Sequence, residues 1–310
     1  MIEVFKTIEN KSRRIDEFQK DSWINVSSPT KAELEKLSRE LNIPLDFLTD
    51  PLDVDERARS DKEGECIQII LRTPLHDEDN TDIPFVTLPV GIILAGDLII
   101  SVCYRENNIL NDFINNRIKS FSTANRSRFI LQIFLRTALA YLNHLKEINK
   151  RTTGVEKELH RAVKNEKLIK LLNLEKSLVF FTTSLGSNEF MMEKLQRTGL
   201  VPMSPDDKEL LGDIIVENKQ AIEMASIYSN ILSGMMDAFA SVISNNLNVV
   251  VKLLTAITII LMIPTLVASI YGMNVELPFQ HSPHAFLITS CISLTLSVIG
   301  VMVFIKRKWF

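Results

Sequence analysis

Cysteine is scarce. Cys66, Cys103 and Cys291 are the three in the chain and they lie far apart, so they make neither a disulfide framework nor a zinc site and are expected as buried apolar packing. No glycine-rich phosphate loop, nucleophile elbow or His-Glu metal pair occurs, and without such a motif the chain is not expected to be an enzyme. A net charge of −3 with a pI near 6.0 gives no general case for a nucleic-acid partner. The opening Met1-Ile2-Glu3-Val4-Phe5-Lys6 has no basic region leading into a long apolar core, so neither a secretory signal nor a transit peptide is expected.

What the chain does have is two long charge-free runs near its end. Leu253 to Ile270 carries no charged residue and follows Val249-Val250-Val251, with Lys252 alone interrupting. At about 1.5 Å per residue that length covers a hydrocarbon core of roughly 30 Å. Ala285 to Ile305 is likewise free of charge and runs into Lys306-Arg307-Lys308-Trp309. Both are expected to cross a bilayer. The connector Tyr271 to His284 lacks Lys and Arg, so the positive-inside rule puts both termini in the cytoplasm. Trp309 and Tyr271 sit where interfacial aromatics belong.

The first span repeats polar residues on one side. Asn248, Val251, Thr255, Thr258, Met262, Thr265 and Ser269 follow one another in steps of three and four, so they share a face and would converge on an axis if several copies packed side by side. A plainer reading has the hydroxyls bonding back to their own helix or gluing two helices together. Pro264 beside Thr265 is compatible with both.

Pro264-Thr265-Leu266-Val267-Ala268-Ser269 running into Tyr271-Gly272-Met273-Asn274, with Glu276 beyond, resembles the signature of the CorA family of magnesium transport proteins. Upstream, Trp23-Ile24-Asn25-Val26, Phe47-Leu48-Thr49-Asp50 and Asp53-Val54-Asp55-Glu56-Arg57-Ala58-Arg59 are similar to that family's cytoplasmic domain. The resemblance implies a divalent-cation channel, a homopentamer shaped as a funnel, in the plasma (inner) membrane. It implies Gly272, Met273 and Asn274 as the selectivity motif, Glu276 as loop acid, and Asn248, Val251, Leu254 and Met262 among the pore positions. It also implies a regulatory Mg²⁺ site between subunits, with Asp213 as one ligand and Glu65, or Glu63 close by, as its partner. Two departures stand out: Glu276 is the only loop acid, and the middle helices are basic, with sixteen Lys/Arg against eight Asp/Glu between Asn108 and Leu200.

The expected organisation is an α/β domain over 1–107, antiparallel long helices over 108–203, a stalk helix over 204–248, the pore-lining span over 249–270, a loop over 271–284, a second span over 285–305 and a basic tail over 306–310. In the first domain, strands are expected at Ile2–Phe5, Trp23–Val26, Cys66–Arg72, Phe85–Leu88 and Leu98–Tyr104, with a turn-like polar segment between the first two. A helix Thr30–Leu41 is expected with Ser28 as its cap. Asp53, Asp55 and Glu56 beside Arg57 and Arg59 suit a salt-bridge patch more than a metal cluster. His76-Asp77-Glu78-Asp79 suits a solvated loop, and His144 and His160 are lone histidines. The long helices are expected to break near Thr152-Thr153-Gly154 and to end at Thr198-Gly199.

From a Ser204 cap, one helix is expected from Pro205 to Ile270, about 100 Å long. Its apolar side reads Leu211, Ile214, Ile222, Ala225, Tyr228, Leu232, Met235, Phe239, Val242 and Leu247. Extending the polar stripe backward gives Ser244, Ser241, Asp237, Gly234, Asn230, Ile227, Glu223, Gln220, Val216 and Asp213, and Pro205 to Asn248 holds seven acids against two lysines, a lining that attracts cations. The function expected is Mg²⁺ uptake limited by internal Mg²⁺, with the lipid bilayer, divalent cations and other copies of the chain as partners. Zinc or cobalt transport on the same architecture is the near alternative, against which Met273 weighs slightly, and a membrane-tethered coiled-coil scaffold is the distant one.

In cells, with native cysteines removed, a membrane-impermeant thiol reagent should label a cysteine placed at Gln280. Labelling confined to cysteines near residues 10 or 310 would reverse the topology.

Overall fold

The computed structural model describes residues 1–9, 11–77, 82–118, 121–161, 165–279 and 282–307, the side chains of His160 and Arg161 aside. Glu78 and Asp79 of the acidic run, the loop positions Gln280 and His281, and the closing Lys308-Trp309 lie outside the described residues. The chain divides into two compact units, Met1–Gly234 and Met235–Phe310.

In the first unit, strands β1 (Ile2–Ile8), β2 (Lys11–Ile15), β3 (Trp23–Ser27), β4 (Arg59–Glu63), β5 (Cys66–His76), β6 (Phe85–Ala95) and β7 (Leu98–Cys103) form one sheet in the order β2-β1-β3-β7-β6-β5-β4. β3 and β7 pair in parallel and the other neighbours are antiparallel. Every residue of β3 is buried, because both faces of the sheet are covered. Alternation along the strand assigns the faces. Ile24 and Val26 meet Leu34 and Leu37 of α1 (Lys31–Leu41) and Phe47 and Leu48 of α2 (Leu45–Thr49) on one side.

On the other side Trp23 joins Ile69, Ile92 and Ile99 beneath α3 (Asn108–Ile114), α4 (Arg126–Arg161), α5 (Asn165–Thr198) and the start of α6 (Pro205–Tyr271). Trp23 is wholly buried. Its ring centroid lies 5.3 Å from Phe5 and 5.1 Å from Phe129, and its indole N–H donates to Ser101 Oγ at 2.9 Å. Truncating such an aromatic costs about 3–5 kcal/mol.

The sequence reading needs correction at several points. β2 was expected as a turn-like segment and β4 was not anticipated, yet they are the two edge strands. Lys11-Ser12-Arg13-Arg14-Ile15 and Arg59-Ser60-Asp61-Lys62-Glu63 carry the charge that protects a sheet edge, so neither shows an apolar alternation. β5 and β6 continue through Pro74 and Pro89, past the predicted ends. A Cβ on Gly91 of β6 would lie 2.2 Å from Pro51 Cγ, so the short 3₁₀ turn Asp50–Leu52 packs there only against glycine.

Thr30, not Ser28, caps α1. Its hydroxyl accepts the Glu33 N–H at 3.3 Å while the Glu33 carboxylate accepts the Thr30 N–H at 2.7 Å, a closed capping box. Ser28 sits at φ 46° and donates to Tyr104 O instead. The middle region opens with the short α3 before its long helices begin, and α4 passes through Thr152-Thr153-Gly154 unbroken. The His144 ring lies 5.5 Å from Phe85 and 6.4 Å from Phe181, and burial pulls its pKa below the usual imidazole value. Arg59 gathers Asp50 at 2.7 Å, Asp61 at 2.7 Å and Glu56, the salt-bridge patch expected there.

Other expectations meet their residues. Gly199 follows α5 at φ 62° and donates to Leu195 O at 3.1 Å, a left-handed helix stop. Ser204 Oγ accepts the Asp207 N–H at 3.1 Å and caps α6. Of the apolar side expected on α6, Leu211, Ile214, Ala225 and Leu232 are buried, whereas Val242 and Leu247 are exposed; the Asn218 amide donates to Leu185 O at 3.0 Å, so the start of α6 packs within the first unit by its apolar side.

The second unit holds the rest of α6 and α7 (Ala285–Lys306), and both helices are long and apolar enough to cross a membrane. Pro264 lies inside α6 without ending it.

Candidate functional site

α6 has two unlike sides within the apolar span. Ala256, Ile260, Ile263 and Val267 are the residues covered or partly covered there, spaced by four, three and four so that they form one stripe. At Ile263 that stripe meets α7, where a Cβ added to Gly300 would stand 3.2 Å from Ile263 Cδ1. Gly300, unremarked in an apolar run, therefore marks the close approach of the two helices. Asn248, Val251, Leu254, Thr255, Thr258, Met262, Thr265 and Ser269 are all exposed. The predicted polar stripe thus lies away from α7 and is uncovered in the single chain.

The hydroxyls on that stripe are oriented. Thr255 donates to Val251 O at 2.8 Å, Thr258 to Leu254 O at 2.8 Å and Thr265 to Leu261 O at 3.2 Å. The plainer reading of these residues, bonding back four residues along the helix, is thus what their hydrogens do. A hydroxyl has one donor and two lone pairs, so each of these oxygens keeps acceptor capacity after its proton is committed. A row of such oxygens accepts hydrogen bonds and offers none. Asn248 adds an amide at one end of the row.

Backward along α6, Asp213, Val216, Gln220, Glu223, Ile227, Asn230, Gly234 and Asp237 are exposed as well. They alternate with the buried positions of α6, so this face is uncovered in the single chain. Asp213 has no ion-pair or hydrogen-bond partner for its carboxylate among the described residues. Glu65 is exposed beside Gly64 in the β4–β5 turn, where Gly64 takes φ 57°.

The helix exit is compact. Gly272 N–H donates to Ala268 O at 2.9 Å and Met273 N–H to Ile270 O at 3.2 Å. Gly272 turns out of the helix without a left-handed φ; a Cβ there would lie 3.3 Å from Ala268 O, so the last helical carbonyls crowd any larger residue. Asn274 is not left-handed either, which removes a left-handed cap as the explanation of that residue. Its amide is exposed and takes no partner among the described residues. The Tyr271 hydroxyl donates to Pro278 O at 3.3 Å and closes the loop over Met273, Asn274 and the exposed Glu276.

A family model described as CorA-like Mg²⁺ transporter protein matches residues 19–307. The cobalt/magnesium transport protein CorA of Methanocaldococcus jannaschii is 26% identical over 297 residues, covering 93% of this chain and 90% of that protein. The magnesium transport protein CorA of Helicobacter pylori is 24% identical over 294 residues, covering 93% and 90%. The cobalt/magnesium transport protein CorA of Thermotoga maritima is 22% identical over 294 residues, covering 93% and 83%. The complete structure of the M. jannaschii CorA magnesium transporter shares the fold at TM-score 0.86 and 24% identity, over 100% of this chain and 99% of that one. The full-length CmaX protein shares it at TM-score 0.74 and 17% identity, over 99% and 97%.

Proposed function

This chain belongs to the CorA-like Mg²⁺ transporter family, and from that premise we propose that it conducts hydrated Mg²⁺ across a membrane through a path lined by the uncovered stripe of α6. The observation that carries the reading is the committed threonine hydrogen. Magnesium holds its water reluctantly exchanged, and a hydrated cation turns water O–H groups outward. A wall suited to it accepts hydrogen bonds, and Thr255, Thr258 and Thr265 have only acceptors left to give.

One helix encloses no path, so the stripe works when copies of the chain assemble about a common axis. Five copies is the number the family resemblance implies. In such an assembly Asn274 and Asn248 supply rings of amide oxygens at either end of the span, neutral acceptors that hold a hydrated ion without trapping it. Val251, Leu254 and Met262 make apolar collars that close by dewetting. Asp237, Glu223 and Asp213 on the same face raise the local cation concentration. Glu276 does so at the loop. Both termini lie in the cytoplasm and the membrane is the plasma (inner) membrane. Cobalt is the second cargo to consider, because two of the relatives named above carry it in their names.

For regulation, Asp213 faces Glu65 of a neighbouring copy. Two carboxylates across an interface repel unless a cation lies between them, so internal Mg²⁺ stiffens a closed assembly and its loss loosens it.

With purified protein in liposomes, Asn274→Ala is expected to abolish Mg²⁺ uptake while leaving assembly intact, and Asn274→Asp to alter selectivity or block by adding a ring of charge. Normal uptake by Asn274→Gly would remove the carbonyl from the mechanism. As internal Mg²⁺ rises, wild type is expected to gain protease protection along α6 and to slow, whereas Asp213→Ala and Glu65→Ala stay open. Variants that respond as wild type does would place the regulatory ion elsewhere.

A further inference from the structure

Away from α6, a cavity of about 610 Å³ opens where the ends of β5 and β6 meet the α4–α5 pair, a volume in the range of small-molecule sites. Pro84, Val155 and Leu174 give it apolar walls. Asn173 lines it too, with 8% of its surface exposed. Its backbone oxygen accepts from Ser177, but its side-chain amide has no partner among the described residues. The residue is nine-tenths buried and lines the cavity, and its amide carries a donor and an acceptor side by side.

Gly154 is the second observation. It sits inside the unbroken α4, where glycine is poorly suited, and a Cβ there would meet nothing within 4 Å. It also lines the cavity. The residue that looks like a helix breaker in the sequence is therefore the one whose missing side chain keeps this space open.

Cations stand in the same wall. Arg151 gives one terminal nitrogen, Nη2, to Glu147 at 2.5 Å and to His76 Nε2 at 3.0 Å, leaving Nη1 and Nε without a partner among the described residues. Since a guanidinium only donates, His76 Nε2 accepts in this contact. Lys170 is tied to Glu166 at 3.1 Å through an exposed pair one helical turn apart, a contact weak enough to exchange for an anion. The wall acids are engaged elsewhere, Asp77 with Arg105 at 3.1 Å and Glu158 with Lys167.

We propose that this cavity binds a nucleoside monophosphate, the base between the apolar walls with its edge on the Asn173 amide, and the phosphate at the Arg151 and Lys170 side. A carboxamide pairs in bidentate fashion with an adenine edge, and Arg suits phosphate. The occupied site bridges the β5–β6 ends to both α4 and α5.

The test is calorimetric titration of full-length protein in detergent, with EDTA present, using AMP, adenosine and inorganic phosphate in parallel. AMP is expected to saturate at submillimolar concentration, with adenosine and phosphate each weaker by roughly tenfold or more. Gly154→Leu fills the cavity while improving helix propensity, and should abolish AMP binding; Asn173→Leu should weaken it by roughly tenfold. Absence of AMP saturation, phosphate binding as tightly as AMP, or unchanged binding by Gly154→Leu would each overturn the proposal.

Discussion

A backbone carbonyl four residues back takes the hydroxyl proton of Thr255, of Thr258 and of Thr265, and the proposed function depends on that one repeated hydrogen bond. Within a bilayer an unsatisfied polar hydrogen costs several kcal/mol, so a threonine there either finds a partner on another helix or turns back on its own. On α6 it turns back. The consequence is a wall that is polar without being sticky: it neither donates to an ion's water shell nor offers charge that would hold the ion in place.

Within each unit α6 is covered along one side. Toward the amino end of α6, Leu211, Ile214, Ala221 and Ala225 are buried and Asn218 holds Leu185 O, which fixes the rotation of the helix about its axis. Nearer its other end Gly300 lets α7 approach Ile263, on the side opposite the threonines. Each contact belongs to a different unit of the chain.

How much of this was legible in the sequence follows from which forces write themselves in composition. The two spans were legible because a bilayer demands uninterrupted apolar length, and the buried strands because a sheet covered on both faces demands apolar runs. The edge strands β2 and β4 were not, since an edge is protected by charges that erase the strand pattern. Gly154 was misread as a break because sequence does not say that a cavity lies beside it. The direction of the threonine hydroxyls had no sequence signal at all, because either reading of the stripe uses the same residues at the same spacing. Asp213 and Glu65 are both exposed, which agrees with a site completed by another copy and equally with two solvated carboxylates.

The central claim is that the face of α6 bearing Thr258 lines the ion's path and the flank bearing Ile257, about 100° around the helix, does not. Single cysteines at Thr258 and at Ile257, each in a cysteine-free background, test it most directly through Mg²⁺ flux into liposomes before and after treatment with a small charged thiol reagent. The account predicts that modification stops flux for Thr258→Cys and leaves Ile257→Cys conducting; block at Ile257 with Thr258 unaffected, or equal effects at both, would contradict it.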